Sequence, residues 1–188
     1  MMNMLVWNAV FGMGIAYPLW RWRAVARGSE TLRWGQLWHL LPYLLLTDVW
    51  FYCAHRLMHT KPFYRRFHKM HHRFTAPEAI CGVYCHPLEM MVVNAASLMV
   101  GPVLMGSHPA IWSLWGLIAT FSVTSSHSGY GPGSPVPGAA GQHDRHHEEF
   151  NCNFGVALYI GDRLSGSYKP DDDATTPDDA ISGRDKQE

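Results

Sequence analysis

Apolar residues in this chain are gathered into long blocks, and the blocks predict helices. Residues 1–20 contain no Asp, Glu, Lys or Arg, residues 37–54 contain only Asp48, and residues 90–143 carry no formal charge. A helix needs about 20 largely apolar residues to cross a bilayer. The pattern therefore predicts about four membrane-embedded segments, at 1–20, 37–54, 88–106 and 110–126.

The last two segments allow two interpretations. They are separated by "GSHP" at 106–109, and Gly101-Pro102 interrupts the first of them. The region from Pro87 to Ser126 either crosses the membrane twice or enters as a re-entrant hairpin broken at Gly101-Pro102. After it comes a Gly/Pro loop, "GYGPGSPVPGAAG" at 129–141, and the acidic, polar residues 169–188 are expected to be a disordered tail.

Histidine is unusually frequent in this chain. The chain has 12 histidines in 188 residues, and eight of them fall into three clusters. One is an HxxxH motif (His55 and His59). The other two are HxxHH motifs, at His68, His71 and His72 and at His143, His146 and His147.

Side chains three and four residues apart lie on one face of a helix, so each HxxHH motif is expected to aim three imidazoles at one spot. Imidazole is the commonest neutral metal ligand in proteins. A basic patch for phosphate or anionic lipid explains the neighbouring Arg and Lys residues, but not the repeated spacing of the histidines. The clusters therefore predict a metal site. The zero net charge and pI of about 7.2 give no indication of nucleic-acid binding.

If the three clusters form one site, all of them must emerge on the same side of the membrane. The basic run 56–73 is denser than the arginines at 21–33, and this asymmetry places the clusters on the cytosolic side. Asp48 is the single acid inside a predicted span and lies on one helix stripe with Tyr52, His55 and His59. It is expected to orient Tyr52 or a ligand histidine from another helix, or else to satisfy a neighbouring helix.

Several longer motifs resemble a known family. "HRLMH", "FHKMHH" and "HDRHH", together with "HPLE" at 86–89 and "SHSGY" at 126–130, are similar to the membrane fatty acid hydroxylase/sterol desaturase superfamily. The similarity covers roughly residues 40–168 and is greatest to the C-4 methylsterol oxidases and related fatty acid hydroxylase domain-containing proteins. It divides the chain into an N-terminal membrane segment and basic loop (1–36), a catalytic domain (37–168) and the tail (169–188).

The resemblance implies an all-α integral membrane domain with a cytosolic histidine-rich cap, in the endoplasmic reticulum. It also implies a diiron centre that activates O2 to oxidise an unactivated C–H bond, with electrons from NAD(P)H through cytochrome b5 or a related carrier. The eight clustered histidines are the expected ligands, and His127 is expected as a ninth. His86 is either a ligand or a hydrogen-bond partner of one, and the acids expected beside ligand N–H groups are Glu89, Asp144 and Glu148.

One departure from the family pattern concerns the end of the domain. The family's ending resembles "WDRLFGT", whereas this chain has Gly161 in place of the Trp. Loss of that side chain is expected to loosen the wall beside the site.

The substrate that the resemblance favours is the C-4 methyl group of a sterol, with a fatty acyl or sphingoid chain as the alternative. A non-enzymatic zinc protein of the membrane and a scaffold without turnover remain further alternatives. No HExxH motif is present, which disfavours a zinc protease of that class.

Overall fold

The computed structural model describes residues 10–28, 31–74, 78–129 and 139–170, and within these ranges every regular element is helical. The all-α class predicted from the sequence is therefore confirmed for the described residues. Predictions that concern residues 1–9, most of the Gly/Pro loop and the tail from 171 onward lie outside them.

Six helices organise the described chain. They are α1 (Tyr17–Arg27), α2 (Leu40–Met58), α3 (Pro87–Met105), α4 (Pro109–Ser126), α5 (Ala139–Glu149) and α6 (Ile160–Ser165). The π-helical stretch Gly12–Ala16 leads directly into α1. Short helical turns lie between the later helices: 3-10 Trp34–His39, helical Lys61–Phe63, π-helical Tyr64–His68, and 3-10 His71–Arg73 and Ala79–Val83. The middle of α3, Met90–Ala95, is itself π-helical.

Helices α3 and α4 form an antiparallel hairpin. Helix α3 continues through Gly101-Pro102 and ends at Gly106, whose φ of 60° is a left-handed conformation that glycine adopts without strain. His108 then caps α4 by accepting a hydrogen bond from the Ala110 N–H at its Nδ1 (3.1 Å). The alternative of a hairpin broken at Gly101-Pro102 is therefore wrong, because the chain reverses at 106–108.

Gly101 instead lets α2 and α3 pack closely. A Cβ at this position would lie 2.5 Å from Cδ1 of Tyr43 and 2.9 Å from its Cα, so only glycine fits. Tyr43 is fully buried there, against Ile111 and Trp115 of α4. The Thr47 hydroxyl adds a hydrogen bond to the Ser97 carbonyl at 2.8 Å. Together these contacts join α2, α3 and α4 into one layer.

Helix α1 is attached at the turn between α3 and α4. The Trp20 indole N–H donates to the Ser107 carbonyl (2.6 Å), and the hydroxyl of Ser107 is in hydrogen-bond contact with His39 and Tyr43. The alternating helix directions then place the C-terminal ends of α2 and α4 and the N-terminal end of α3 at the opposite end of the layer. All three histidine motifs, the HxxxH and the two HxxHH, lie at that opposite end.

The outward faces of the layer are strongly apolar. Leu41 is 63% exposed, Leu117 70% and Phe121 54%. Among the helices in the described ranges, α3 alone is long and apolar enough to cross a membrane by length and composition. The predicted number of four membrane segments, and the side on which the histidines lie, remain predictions.

Candidate metal centre

Five imidazoles, drawn from all three sequence motifs, converge at the end of α2. They form one group in space, which is called the first cluster from here on. It consists of His55, His59, His68, His72 and His146, whose candidate ligand atoms all lie within 4.8 Å of one another. The Nε2 atom of His68 is 2.8 Å from that of His59, 3.1 Å from that of His55 and 3.0 Å from that of His72. The Nε2 atom of His146 lies 3.2 Å from that of His72.

Four more imidazoles form the second cluster beside the first. It consists of His71, His127, His143 and His147, again with candidate ligand atoms within 4.8 Å. The Nε2 atom of His143 is 2.8 Å from that of His127 and 3.1 Å from that of His147. The rings of His72 and His147, one from each cluster, have their centroids 4.5 Å apart. The two clusters are therefore immediate neighbours.

Each HxxHH motif is divided between the two clusters. His68 and His72 belong to the first cluster and His71 to the second, whereas His143 and His147 belong to the second and His146 to the first. The expectation that one motif aims three imidazoles at one spot is therefore wrong. Each motif supplies a pair four residues apart to one cluster and a single imidazole to the other, and two copies complete two adjacent sites.

The local conformation of the first HxxHH motif also differs from a regular α-helix. His68 ends a π-helical segment, and His71–Arg73 is a 3-10 turn with a ψ of 17° at His72. The second motif lies on the regular helix α5. The turn after His68 carries His71 toward α4, where its ring centroid lies 5.5 Å from that of His127.

Backbone carbonyls determine which nitrogen faces the cluster interior. The Nδ1 atom of His55 lies 2.8 Å from the Phe154 carbonyl, and that of His146 lies 2.7 Å from the Cys152 carbonyl. In the second cluster, Nδ1 of His147 lies 3.1 Å from the Phe74 carbonyl and Nδ1 of His127 lies 2.9 Å from that of Val123. A carbonyl only accepts, so Nδ1 donates and the Nε2 lone pair points inward.

This arrangement fits a pair of metal cations. Neutral imidazoles whose lone pairs converge at about 3 Å repel one another unless a cation lies between them. Histidine ligands of metals commonly donate their other ring N–H to a carbonyl or carboxylate, as four of these do. Glu89 is a carboxylate partner of the same kind, because its Oε1 lies 2.8 Å from Nδ1 of the buried His68.

Burial keeps these imidazoles neutral. It lowers the pKa of His55 to about 4 and that of His147 to about 3, and the charges of neighbouring histidines add to the effect. The pKa of His71, His143 and His146 is lowered well below its ordinary value for the same reason. Only the neutral form can ligate a metal, so the site is prepared to bind cations at neutral pH.

The loop after α5 supplies the carbonyls that orient His55 and His146, and two buried residues hold it. The Asp162 carboxylate accepts from the Phe154 N–H (2.9 Å) and the Gly155 N–H (2.6 Å). The Asn153 side chain donates to the carbonyls of Gln142 and Lys169, at 3.0 Å each. The sequence alone assigned no role to either residue, although "NCNFG" at 151–155, three residues after an HxxHH motif, is a usable signal.

Asp48 contacts neither Tyr52 nor a ligand histidine, and instead satisfies the start of a neighbouring helix, which was the remaining alternative. Its carboxylate accepts four backbone N–H groups, those of residues 157–160, at 2.8 to 3.2 Å. It therefore anchors the same loop to α2, at the start of α6. Tyr52 lies one turn away and donates its hydroxyl to Ser165 (2.8 Å) rather than to an imidazole.

Gly161 stands where the family pattern has a Trp, and its small size was expected to leave space there. Tyr52 fills that space. A Cβ at Gly161 would lie 2.2 Å from Cγ and Cδ1 of the Tyr52 ring. The wall is therefore closed by Tyr52, and the expectation of a loosened wall is wrong.

Three other predicted site residues lie outside both clusters. His86 caps α3, with its Nδ1 accepting from the Leu88 N–H at 3.1 Å, and its ring packs on Phe67. Asp144 is half-buried and Glu148 is exposed, both on α5.

An apolar cavity of about 390 Å³ lies between α2, α3 and α4. It is lined by residues such as Leu44, Leu98 and Trp115, and it reaches the exposed Ile118. A second cavity, of about 20 Å³, touches members of both histidine clusters. Residues that line both cavities are Phe51, Gly82, Asn94, Val123 and Val156. The apolar space thus leads to the candidate metal centre.

Comparison with known proteins gives consistent similarities. A sequence model described as "Fatty acid hydroxylase" matches residues 40–167. Fatty acid hydroxylase domain-containing protein 2 of Homo sapiens is 39% identical over 154 residues, which cover 80% of this chain and 45% of that protein. C-4 methylsterol oxidase erg25 of Schizosaccharomyces pombe is 36% identical over 129 residues, or 63% of this chain and 43% of the relative.

A plant protein shows the breadth of the similarity. Very-long-chain aldehyde decarbonylase GL1-11 of Oryza sativa is 31% identical over 167 residues, covering 84% of this chain and 62% of the relative. The chain spans about half the length of the curated relatives that it matches. No solved structure matches it.

Proposed function

The chain belongs to the fatty acid hydroxylase family, and we propose that it is a membrane-bound non-haem diiron oxygenase that oxidises a C–H bond of a lipid. Our preferred substrate is a C-4-methylated sterol. The observation that carries the proposal is the pair of adjacent all-imidazole clusters at the inner end of an apolar cavity.

The first cluster would hold one iron and the second cluster the other. The bound pair supplies the activation of O2 and the oxidation of an unactivated C–H bond. Imidazole suits iron among other metals, and neither cluster includes a cysteine thiolate that an oxidant would attack. The chain's own contribution is to fix the direction of five of the nine Nε2 lone pairs, through backbone carbonyls such as those of Phe154 and Cys152 and through the carboxylate of Glu89.

The cavity binds and orients the lipid. Its lining is predominantly apolar, and its volume of about 390 Å³ lies in the range of ligand pockets, about 300–1,000 Å³. Apolar walls exclude water from the oxidised carbon, which limits side reactions. The exposed apolar faces of α2 and α4 support a location in the bilayer, from which a lipid enters past Ile118.

We place the protein in the endoplasmic reticulum membrane, with several membrane-embedded segments and the histidines on the cytosolic side. Exposed basic residues surround the first cluster there: Arg56, Lys61, Arg65, Arg66, Lys69 and Arg73. Such a surface attracts an acidic partner. The partner we propose is a cytochrome b5-type carrier that delivers electrons from NAD(P)H.

The substrate preference is tested in cells that lack their own C-4 methylsterol oxidase. Wild-type chain and a His146→Ala variant are expressed at equal levels, and 4-methylsterols and hydroxylated acyl or sphingoid lipids are measured together. We expect 4-methylsterols to fall only with the wild type. Unchanged 4-methylsterols with new hydroxylated acyl products would exclude a sterol as the substrate, while the proposal of an oxygenase would still stand.

A matched control variant is His108→Ala, because His108 caps α4 at the end of the layer away from both clusters. It is expected to act like the wild type. A chain that carries zinc alone and oxidises neither lipid after iron loading would contradict the oxygenase proposal altogether.

A further inference from the structure

The junction between the two cavities contains a single polar side chain. Of the five residues that line both, Phe51, Val123 and Val156 are apolar, Gly82 has no side chain, and Asn94 carries an amide. Asn94 lies in the π-helical stretch Met90–Ala95 of α3. Such local widening of a helix occurs frequently at functional sites.

The Asn94 amide is poorly satisfied by the protein. Its Nδ2 lies 3.7 Å from Sγ of Cys85, and a thiol is a weak acceptor. Within the described residues, its Oδ1 accepts no hydrogen bond. Asn94 is half-buried and lines both cavities, so its amide is available to a ligand that completes its hydrogen bonds.

Most other polar groups of the larger cavity are already engaged. The hydroxyls of Thr47 and Ser97 donate to the carbonyls of Ser97 and Asn94, at 2.8 and 2.7 Å. Thr120 and Thr124 donate to carbonyls of their own helix, at 2.8 and 2.9 Å. Ser122 lines the larger cavity but not the smaller one, and the same holds for Trp115, whose buried indole N–H has no acceptor among the described residues. Asn94 is therefore the polar group best placed to bind a substrate beside the metal centre.

The lining also limits the chemistry of that substrate. Among the described residues that line the larger cavity there is no Lys, Arg, Asp or Glu. A carboxylate or phosphate in this space would find no Lys or Arg side chain to pair with, and an isolated buried charge is strongly disfavoured. A hydroxyl, in contrast, both donates and accepts, as the amide does.

We propose that Asn94 binds the hydroxyl of an uncharged lipid alcohol and thereby places a nearby carbon against the histidine clusters. The inference rests on the proposed function and deepens it. It selects a lipid whose oxidised carbon lies within a few bonds of a hydroxyl, as the C-4 methyl of a sterol lies beside the ring hydroxyl. A free fatty acid bound by its carboxylate is disfavoured.

The test compares binding of matched alcohols and hydrocarbons to the full iron-loaded chain in detergent, under nitrogen so that no turnover occurs. One pair is a 4-methylsterol and its counterpart without the ring hydroxyl, and the other is hexadecanol and hexadecane. We expect the wild type to bind the alcohol of at least one pair about tenfold more tightly than the hydrocarbon. In Asn94→Leu, of similar size, this ratio falls to about one while hydrocarbon binding is kept.

Two further variants complete the design. Asn94→Ala, which removes the amide without adding bulk, must also give a ratio of about one, and it replaces Asn94→Leu if that variant does not fold. Thr120→Val removes a hydroxyl from the same cavity that already donates to a backbone carbonyl, so it should keep the wild-type ratio.

The outcomes separate this inference from the proposed function. A preference for alcohol that survives in both Asn94 variants, or a wild type that shows no preference in either pair, overturns the assignment of Asn94. A preference confined to hexadecanol and lost in both variants supports Asn94 and counts against the sterol. Sterol oxidation by a chain that binds alcohol and hydrocarbon equally supports the oxygenase and overturns the role of Asn94.

Discussion

At the scale of single residues, the candidate site depends on which nitrogen of each imidazole faces inward. Four of the nine histidines are oriented by a backbone carbonyl, which no side-chain substitution removes directly. His68 is different, because its Nδ1 lies against the carboxylate of Glu89. Glu89 is therefore the position at which ligand orientation can be tested by mutation.

We predict that Glu89→Ala lowers the iron affinity of the chain by roughly 10- to 100-fold, the usual cost of losing such a partner. Glu89→Gln keeps an acceptor oxygen and should lose less. Iron retained after dialysis against graded chelator gives the affinity, and Glu148→Ala, an exposed acid on α5, is the matched control. Equal retention by Glu89→Ala and the control would remove Glu89 from the site.

At the scale of elements, the loop between α5 and α6 links remote parts of the chain to the metal centre. Its carbonyls orient His55 and His146, while Asp48 on α2 and Asp162 on α6 bind its backbone N–H groups. The stability of this loop therefore controls the geometry of the first cluster.

Asp48→Asn tests this link. The amide retains one acceptor oxygen but replaces the other with a donor, so at least one of the four backbone N–H groups loses its partner, at a cost of about 1–3 kcal/mol. We predict that activity falls more than membrane insertion does, since removal of a charge eases insertion. Activity per inserted molecule is the measurement, and wild-type activity in Asp48→Asn would show that the anchor is dispensable.

Gly161 and Tyr52 form a second pair whose coupling can be measured. Alanine normally stabilises a helix relative to glycine, but a Cβ at Gly161 overlaps the Tyr52 ring. We predict that Gly161→Ala destabilises the protein by about 1–3 kcal/mol, as overpacked sites do.

The same change made in a Tyr52→Ala background should be neutral or stabilising. Thermal unfolding of the two single variants and the double variant provides a double-mutant cycle. Additive effects of the two changes would mean that the ring does not occupy this space.

Sequence reasoning identified the histidines but not their division into two clusters. All nine imidazoles named from spacing and resemblance lie in the two clusters, and each pair of histidines four residues apart stays within one cluster. The division depends on the π-helical segment and 3-10 turn around His68 to His72, which the residue types do not indicate. The partners of Asp48 lie 109 to 112 residues away, and such long-range contacts leave no local pattern.

At the scale of the whole molecule, the buried histidines make folding depend on pH and metal. Burial holds the pKa of His55 at about 4 and that of His147 at about 3, against an ordinary value of 6.5. At pH values between these lowered pKa values and 6.5, the unfolded chain binds protons that the folded chain does not. The free energy of unfolding is therefore highest above about pH 6.5 and falls as the pH decreases.

We predict that the melting temperature of the metal-free protein falls steadily between pH 7 and pH 5. The iron-loaded protein should resist this change until the metal dissociates, because metal binding holds the imidazoles neutral. Differential scanning calorimetry of both forms in matched buffers measures the effect. A metal-free melting temperature that is constant over this range would contradict the neutral, buried state of the histidines.

If two interleaved HxxHH motifs complete two adjacent metal sites, the chain must bind two irons, and the iron content per chain can be measured. The chain is loaded with ferrous iron under anaerobic conditions, freed of excess metal and analysed for iron per chain, alongside His71→Ala and His146→Ala. We predict about two irons in the wild type, and in each variant fewer irons and no turnover while the protein still inserts. One iron or none in the wild type, or normal iron content and turnover in either variant, would contradict it.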